Sequence, residues 1–300
     1  MDALFEIQDL RHRFPGFELA IDHFSLAPGS IVGLIGPNGA GKSTWIRILM
    51  GMIRADAGRV RLLGHPMPER ETEAKRRVGF LSEDLSLYEA LPVGWHLDFV
   101  RRFSPDWDPS YAAELLRRFR LDPAALVGTL SRGTRVKLQL LLALAKRPVL
   151  LLLDEPTSGL DPVVRAEFLE ELMQLVVEEE RGVLFSSHIT TDVERCADRI
   201  VFLNQGRIVA DEGREEMIDR WRVVRFTAPA TFDPPERCDV VRTERQGPIW
   251  QLTLRGFSPS TEGELRRAGA GEIVMQRLSL EEIFLASLRQ TESGSVAATF

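Results

Sequence analysis

The run Gly36-Pro-Asn-Gly-Ala-Gly-Lys-Ser-Thr44 constrains this chain more than any other stretch, because it satisfies GxxxxGK[ST] and stands where such a loop has to stand. Residues 30–35 before it read as a buried strand, and residues 42–51 read as a helix opening at the loop. Strand, glycine-rich turn and helix N-terminus in that order aim backbone N–H groups and the positive end of a helix at one point, which suits a phosphate. Gly36, Gly39 and Gly41 let the backbone curl, and the loop as a whole, with Asn38, Ala40 and Thr44, is assigned to the nucleotide. Lys42 brings a full positive charge to the β- and γ-phosphates, and Ser43 offers a hydroxyl to Mg2+. A glycine-rich turn that matches by chance is the bland alternative, and the flanking strand and helix weigh against it. The chain is expected to bind a nucleoside triphosphate.

Residues 149–155 form an apolar run ending in Asp154 and Glu155, the pattern of a buried parallel strand that delivers acids to the carboxyl edge of a sheet. Asp154 is expected to hold Mg2+, and Glu155 to accept a proton from the water that attacks the γ-phosphate. A strand ending in two acids is common by chance. Its continuation, Pro156-Thr-Ser-Gly-Leu-Asp161, and a later short apolar strand ending Phe185-Ser-Ser-His188 make the pattern specific.

In this order after a phosphate loop, the acid pair, the loop to Asp161 and the strand-end histidine resemble the nucleotide-binding subunit of an ABC transporter, over about residues 4–212. The resemblance implies a phosphate-loop ATPase core of α/β class: a mixed sheet, an antiparallel β subdomain, and a helical subdomain at about 84–146. It also implies that His188 contacts the γ-phosphate and that Asp161 reaches across a dimer interface. By itself His188 would read as a surface or satisfied core residue. The family's signature segment, normally Leu-Ser-Gly-Gly-Gln, is here Leu130-Ser-Arg-Gly-Thr134. Ser131 caps the following helix, and with the Gly133 N–H it is expected to face the nucleotide of the opposite subunit. Arg132 replaces a glycine and Thr134 a glutamine, which leaves close backbone approach at Arg132 in doubt. Glu83 stands at the family's Q-loop, where glutamine is usual, and offers an oxygen to Mg2+ or to the attacking water. Phe14 falls where the family places an aromatic that stacks on adenine, with Phe17 as fallback; an ordinary strand-end core residue is the alternative.

The remaining composition bounds the partners. Of 300 residues, 44% are hydrophobic and 27% charged, enough for a large core, and no apolar run is long enough to span a membrane. The N-terminus lacks a secretory pattern, so the chain is expected to stay in the cytoplasm, and the resemblance implies a peripheral position on the cytoplasmic side of the cell membrane. A net charge of −6 argues against nucleic acid as partner. Cys196 and Cys238 have no metal-ligand or disulfide spacing. The helical segment carries Tyr88, Trp95 and Trp107, readable as a docking surface or as core. Past residue 213 the pattern changes to short β-rich pieces and a helix at 279–289, an α+β appendage over 214–290, with a small polar tail at 291–300 expected to be disordered.

These readings converge on an ATP-hydrolysing ABC transporter subunit of the bacterial export type (ABC-2-like), with ATP and Mg2+ as cofactors. The expected partners are a separate integral membrane permease subunit and a second ATPase subunit, as homodimer or heterodimer. One rival is a soluble ATPase of the same superfamily acting on nucleic acid, ribosomes or cofactor assembly. The other is a non-hydrolysing ATP-binding regulator, against which Glu155 and His188 both stand.

Overall fold

Alternating side chains fold the start of the chain into an antiparallel hairpin, β1 (Phe5–Phe14) and β2 (Phe17–Leu26), in a computed structural model that describes residues 3–177 and 181–296. Its inward residues Phe5, Ile7, Leu10, Leu19, Ile21 and Phe24 are buried. The strand β3 (Ile31–Ile35) has no alternation, and all of it is buried, as a strand covered on both faces should be. It feeds the helix α1 (Lys42–Leu49), which buries Trp45, Ile46, Ile48 and Leu49; the Trp45 ring meets Phe24 edge-on at 4.9 Å. Next come β4 (Ala57–Leu62), β5 (His65–Met67), α2 (Glu71–Lys75) and β6 (Val78–Ser82). The helices α3 (Val93–Phe103), α4 (Pro109–Arg118) and α5 (Arg132–Leu144) follow. Asp108 starts α4 by accepting the Tyr111 N–H at 2.9 Å, with Pro109 in the first turn.

The chain then alternates β7 (Leu150–Asp154), α6 (Pro162–Val177), β8 (Gly182–Ser187), α7 (Thr190–Cys196), β9 (Arg199–Asn204) and β10 (Arg207–Gly213). All ten strands share one sheet in the order β5-β4-β1-β2-β10-β9-β3-β8-β7-β6. On one side the β1, β2, β4 and β5 pairings are antiparallel, and on the other β3, β6, β7, β8 and β9 run parallel. This is the mixed α/β architecture expected from the sequence. Beside it, three consecutive helices with apolar stripes pack by α4 and α3 against α5.

Two compact units divide the chain, Met1–Ile208 and Val209–Phe300, and the division falls within β10. The second unit comprises α8 (Arg214–Arg220), β11 (Arg222–Thr227), β12 (Val240–Gln246), β13 (Ile249–Leu254), α9 (Thr261–Arg267), β14 (Gly271–Arg277) and α10 (Leu280–Val296). Its sheet, ordered β12-β13-β11-β14, packs Val224, Phe226, Phe232, Trp250, Leu252 and Leu265 into a separate core. The final helix is carried through Val296, and the last residues of the tail expected at 291–300 lie outside the described residues. Among the described residues, no helix is long and apolar enough to cross a membrane.

Candidate nucleotide site

Strand register builds the site. Ser82 of β6 lies opposite Asp154 of β7, Asp154 opposite Ser186 of β8, and Ser187 opposite Ile35 of β3. The residues that follow these strands therefore leave the sheet along one edge: Glu83, Glu155, His188 and the loop from Gly36. That edge is where ligands of open parallel sheets bind.

Within the loop, Gly41 caps α1 with a φ of 107°, and a Cβ there would lie 2.9 Å from the Phe17 ring. A Cβ at Gly36 would lie 2.4 Å from the Leu203 carbonyl oxygen. Space and conformation thus both demand glycine. The Lys42 side chain is only 5% exposed; its ammonium donates to the Gly36 carbonyl at 2.7 Å and lies 3.1 Å from Glu155 Oε1.

Asp154 is buried at the end of β7 and accepts hydrogen bonds from the Ser186 hydroxyl, at 2.7 Å, and from Ser43. Burial pushes its carboxyl above the usual aspartate range, and these two donors oppose the shift. Glu155 follows in a left-handed backbone conformation, φ 50°, a strain on the order of 1–3 kcal/mol. Its N–H is held by Ser186, donating to the carbonyl at 3.2 Å and to the hydroxyl at 3.0 Å. The Glu155 carboxylate is spanned by two partners: Lys42 on Oε1, and on Oε2 the His188 ring nitrogen Nδ1 at 2.7 Å and the His188 N–H at 3.3 Å. An ionised Glu155 places the proton on Nδ1 and leaves Nε2 for another partner.

A cleft of about 570 Å3 runs along this edge, lined by residues 37–44, Ser82, Glu83, Asp84, Asp154, Glu155, Phe14 and Phe17. Phe14 is 42% exposed at the end of β1, with its ring edge-on to His12 at 4.6 Å. It is therefore not a core residue, and Phe17 lies beside it at 6.3 Å between ring centres. The residues fit a Mg2+-nucleotide. The loop brings the Lys42 ammonium to this edge, and Ser43, Asp154 and Glu83 present hard oxygen donors. Among the described residues there is no cluster of three or more His, Cys, Asp or Glu able to hold a metal. Mg2+ bound by one or two protein oxygens and substrate phosphates requires none.

Ser131, Gly133 and Asp161 do not line this cleft. Ser131 is the N-cap of α5, accepting the Thr134 N–H at 3.2 Å, with the Thr134 hydroxyl 2.7 Å away. Gly133 is packed so closely that a Cβ would lie 2.4 Å from a Val164 methyl carbon. Asp161 caps α6, accepting the Val163 and Val164 N–H groups at 3.1 Å each. Glu83 donates its N–H to the Asp154 carbonyl at 3.2 Å, while its carboxylate accepts from Arg132 at 2.8 Å.

Two supports escaped the sequence reading. Ser186 holds both members of the acid pair, and a hydroxyl in the wholly buried β8 was the signal available. Asp192, buried in α7, accepts from Thr157 at 2.8 Å and so ties the loop after Glu155 to a helix; burial raises its carboxyl against that bond.

Fold and site together define a phosphate-loop ATPase of mixed α/β architecture. The family model for ABC transporter matches residues 19–158. The chain is 32% identical over 220 residues to the ABC transporter ATP-binding protein YtrB of Bacillus subtilis (strain 168), across 72% of this chain and 75% of that one. It is also 32% identical over 281 residues to the Nod factor export ATP-binding protein I of Mesorhizobium japonicum, across 90% and 82%. A solved structure of an ATP binding subunit of an ABC transporter superposes with a TM-score of 0.65 at 29% identity, covering 72% of this chain and 92% of that one. An ATP-binding cassette of an ABC transporter in its ADP conformation shares the fold, with a TM-score of 0.62 at 22% identity over 72% and 93%. This chain belongs to the ABC transporter family, as an ATP-binding, ATP-hydrolysing subunit.

Proposed function

We propose that the chain binds Mg2+ and ATP in the cleft along the sheet edge, pairs with a second ATPase subunit, and drives export through a separate integral membrane subunit from the cytoplasmic side. The carrying observation is the Glu155 carboxylate, fixed between Lys42 and His188 at the mouth of the phosphate loop. Lys42 and the loop N–H groups bind the phosphates; Phe14 offers a face for the base; Ser43 and Asp154 hold the metal. A Mg2+ ion held by Ser43 and Asp154 would supply charge neutralisation at the phosphates. Glu155 takes the proton of the attacking water, and His188 orients Glu155 while its second nitrogen faces the phosphate. Glu83 lies at the same edge for metal or water.

Ser131, Gly133 and Asp161 are assigned to the nucleotide of the second subunit. That reading rests on the likeness of residues 130–134 and of the loop to Asp161 to the family's segments; His188 and Gly36 are also absent from the cleft lining, so absence from it does not decide between subunits. Export is supported by the relatives whose names carry it. Residues 1–213 form the ATPase domain and 214–290 the accessory domain in this proposal.

Glu155→Gln keeps shape and hydrogen bonding but cannot take a proton. We expect ATP binding to persist and turnover to fall by about a hundredfold or more. Gel filtration with ATP should then show a trapped dimer, whereas a monomer hydrolysing at the parent rate excludes Glu155 as base. Affinity capture from detergent-solubilised native membranes should recover an integral membrane protein; a ribosomal or DNA-repair partner instead sinks the exporter assignment.

A further inference from the structure

Two of the three departures from the family's pattern, Glu83 and Arg132, stand 49 positions apart in the sequence and meet in the structure, with Arg132 Nη2 donating to Glu83 Oε1 at 2.8 Å. The guanidinium also lies against Gly159, where a Cβ would be 2.3 Å from its central carbon; Gly159 has a φ of 65°. One arginine thus joins the segment after β6, the first turn of α5 and the loop between β7 and α6.

Charge explains why such a pair belongs here. The cleft is lined by four acids, Glu83, Asp84, Asp154 and Glu155, and among the described residues by one cation, Lys42. Such a cleft repels a polyanion unless its acids are neutralised. Glu155 is paired with Lys42 and Asp84 with Arg47, whereas Asp154 has only the neutral Ser186 and Ser43 hydroxyls, which leave its charge in place. Glu83 brings a charge that glutamine would not bring, and Arg132, reaching in from outside the cleft lining, cancels it. Both partners are about half exposed, at 53% and 48%, so the pair contributes little to folding. Its effect falls on the ligand's charge.

We propose that Arg132 is a positioning residue for Glu83: it holds and neutralises the Glu83 carboxylate, so that this acid-rich cleft accepts a triphosphate. The inference rests on the nucleotide-site reading above.

Equilibrium titration of the full chain with ATP in EDTA, at low and high salt, tests it without turnover. Arg132→Gln should weaken ATP binding by about threefold to tenfold at low salt, and less at high salt. Adding Glu83→Gln to that variant should restore affinity to within about twofold of the parent, because the charge that needed cancelling is gone. Arg132→Lys, which keeps charge without the planar fork, should bind nearly as the parent and covers the case in which Arg132→Gln does not fold. The proposal is overturned if Arg132→Gln binds as the parent, if the double variant is no better than Arg132→Gln, or if Arg132→Lys loses as much. A parent that binds ATP no better than Lys42→Ala overturns the nucleotide site itself, a result distinct from all of these.

Discussion

Asp154 and Glu155 are neighbours with opposite needs. Asp154 is sealed at the end of β7, and burial raises its carboxyl above the ordinary 3.8, so the folded chain binds that proton more tightly than the unfolded chain does. Its contribution to stability therefore falls as pH rises from 3.8 through the raised folded value, and at neutral pH the ionised group is a liability. Asp154→Asn removes the charge but keeps an oxygen for Ser186 and Ser43. We expect the variant to be more stable at neutral pH, by about 1 kcal/mol in chemical denaturation, with its advantage shrinking toward acid pH, and to be inactive. Equal or lower stability at neutral pH contradicts the burial argument. Glu155, by contrast, carries its strain in the backbone and is accessible between Lys42 and His188. The acid pair was legible in the sequence because an apolar run ended in it. The Glu83–Arg132 contact was not, since nothing local in either segment refers to the other.

Elements with long, consistent patterns were legible: the wholly buried β3 and β7 both fall within a residue or two of the sequence reading. Short elements were not. The three-residue β5 and the five-residue α2 are too brief for periodicity to show, and tertiary packing fixes them. The docking of the loop after Glu155 belongs to the same class, because it depends on Thr157 meeting Asp192, 35 positions away on α7. Thr157→Val retains the shape and removes the donor, leaving the buried Asp192 carboxylate with Arg165, at 3.8 Å, and the charge of Arg195 and His188. A loss of about 1–3 kcal/mol in thermal or denaturant unfolding is expected. Because α6 begins at this loop, hydrogen exchange should rise at the Val163 and Val164 amides that Asp161 caps. Unchanged stability would mean that solvent reaches Asp192.

At the scale of the molecule, the unpaid feature is a ladder of aromatic rings along α3. Trp95 stacks on Phe99 at 5.0 Å, Phe99 meets Phe103 at 5.2 Å, and Tyr88 closes on Trp95 at 5.5 Å. Tyr88 is 62% exposed, so the core reading fails for it; Trp95 is 36% exposed, Trp107 is half-buried, and Phe103 at the end of the ladder is 73% exposed. His96 anchors the upper end, its ring bridging the Pro92 carbonyl and the Tyr88 N–H at 3.0 Å each. The ladder lies on the segment between Glu83 and Ser131, where the membrane subunit proposed above would be placed to sense both. Phe99→Glu combined with Phe103→Glu should leave ATP affinity unchanged within about twofold, while capture of the membrane partner drops by more than about tenfold. Retained capture places the interface elsewhere. The same ladder has a meaning before any transporter is assembled. A copy made in excess of its partner shows water four neighbouring rings that a completed complex would hide, which is the surface that chaperones and proteases read as unfinished. On the partner reading proposed above, an orphan copy is recognisable by this face of α3 and the Tyr88 beside it, without any dedicated signal.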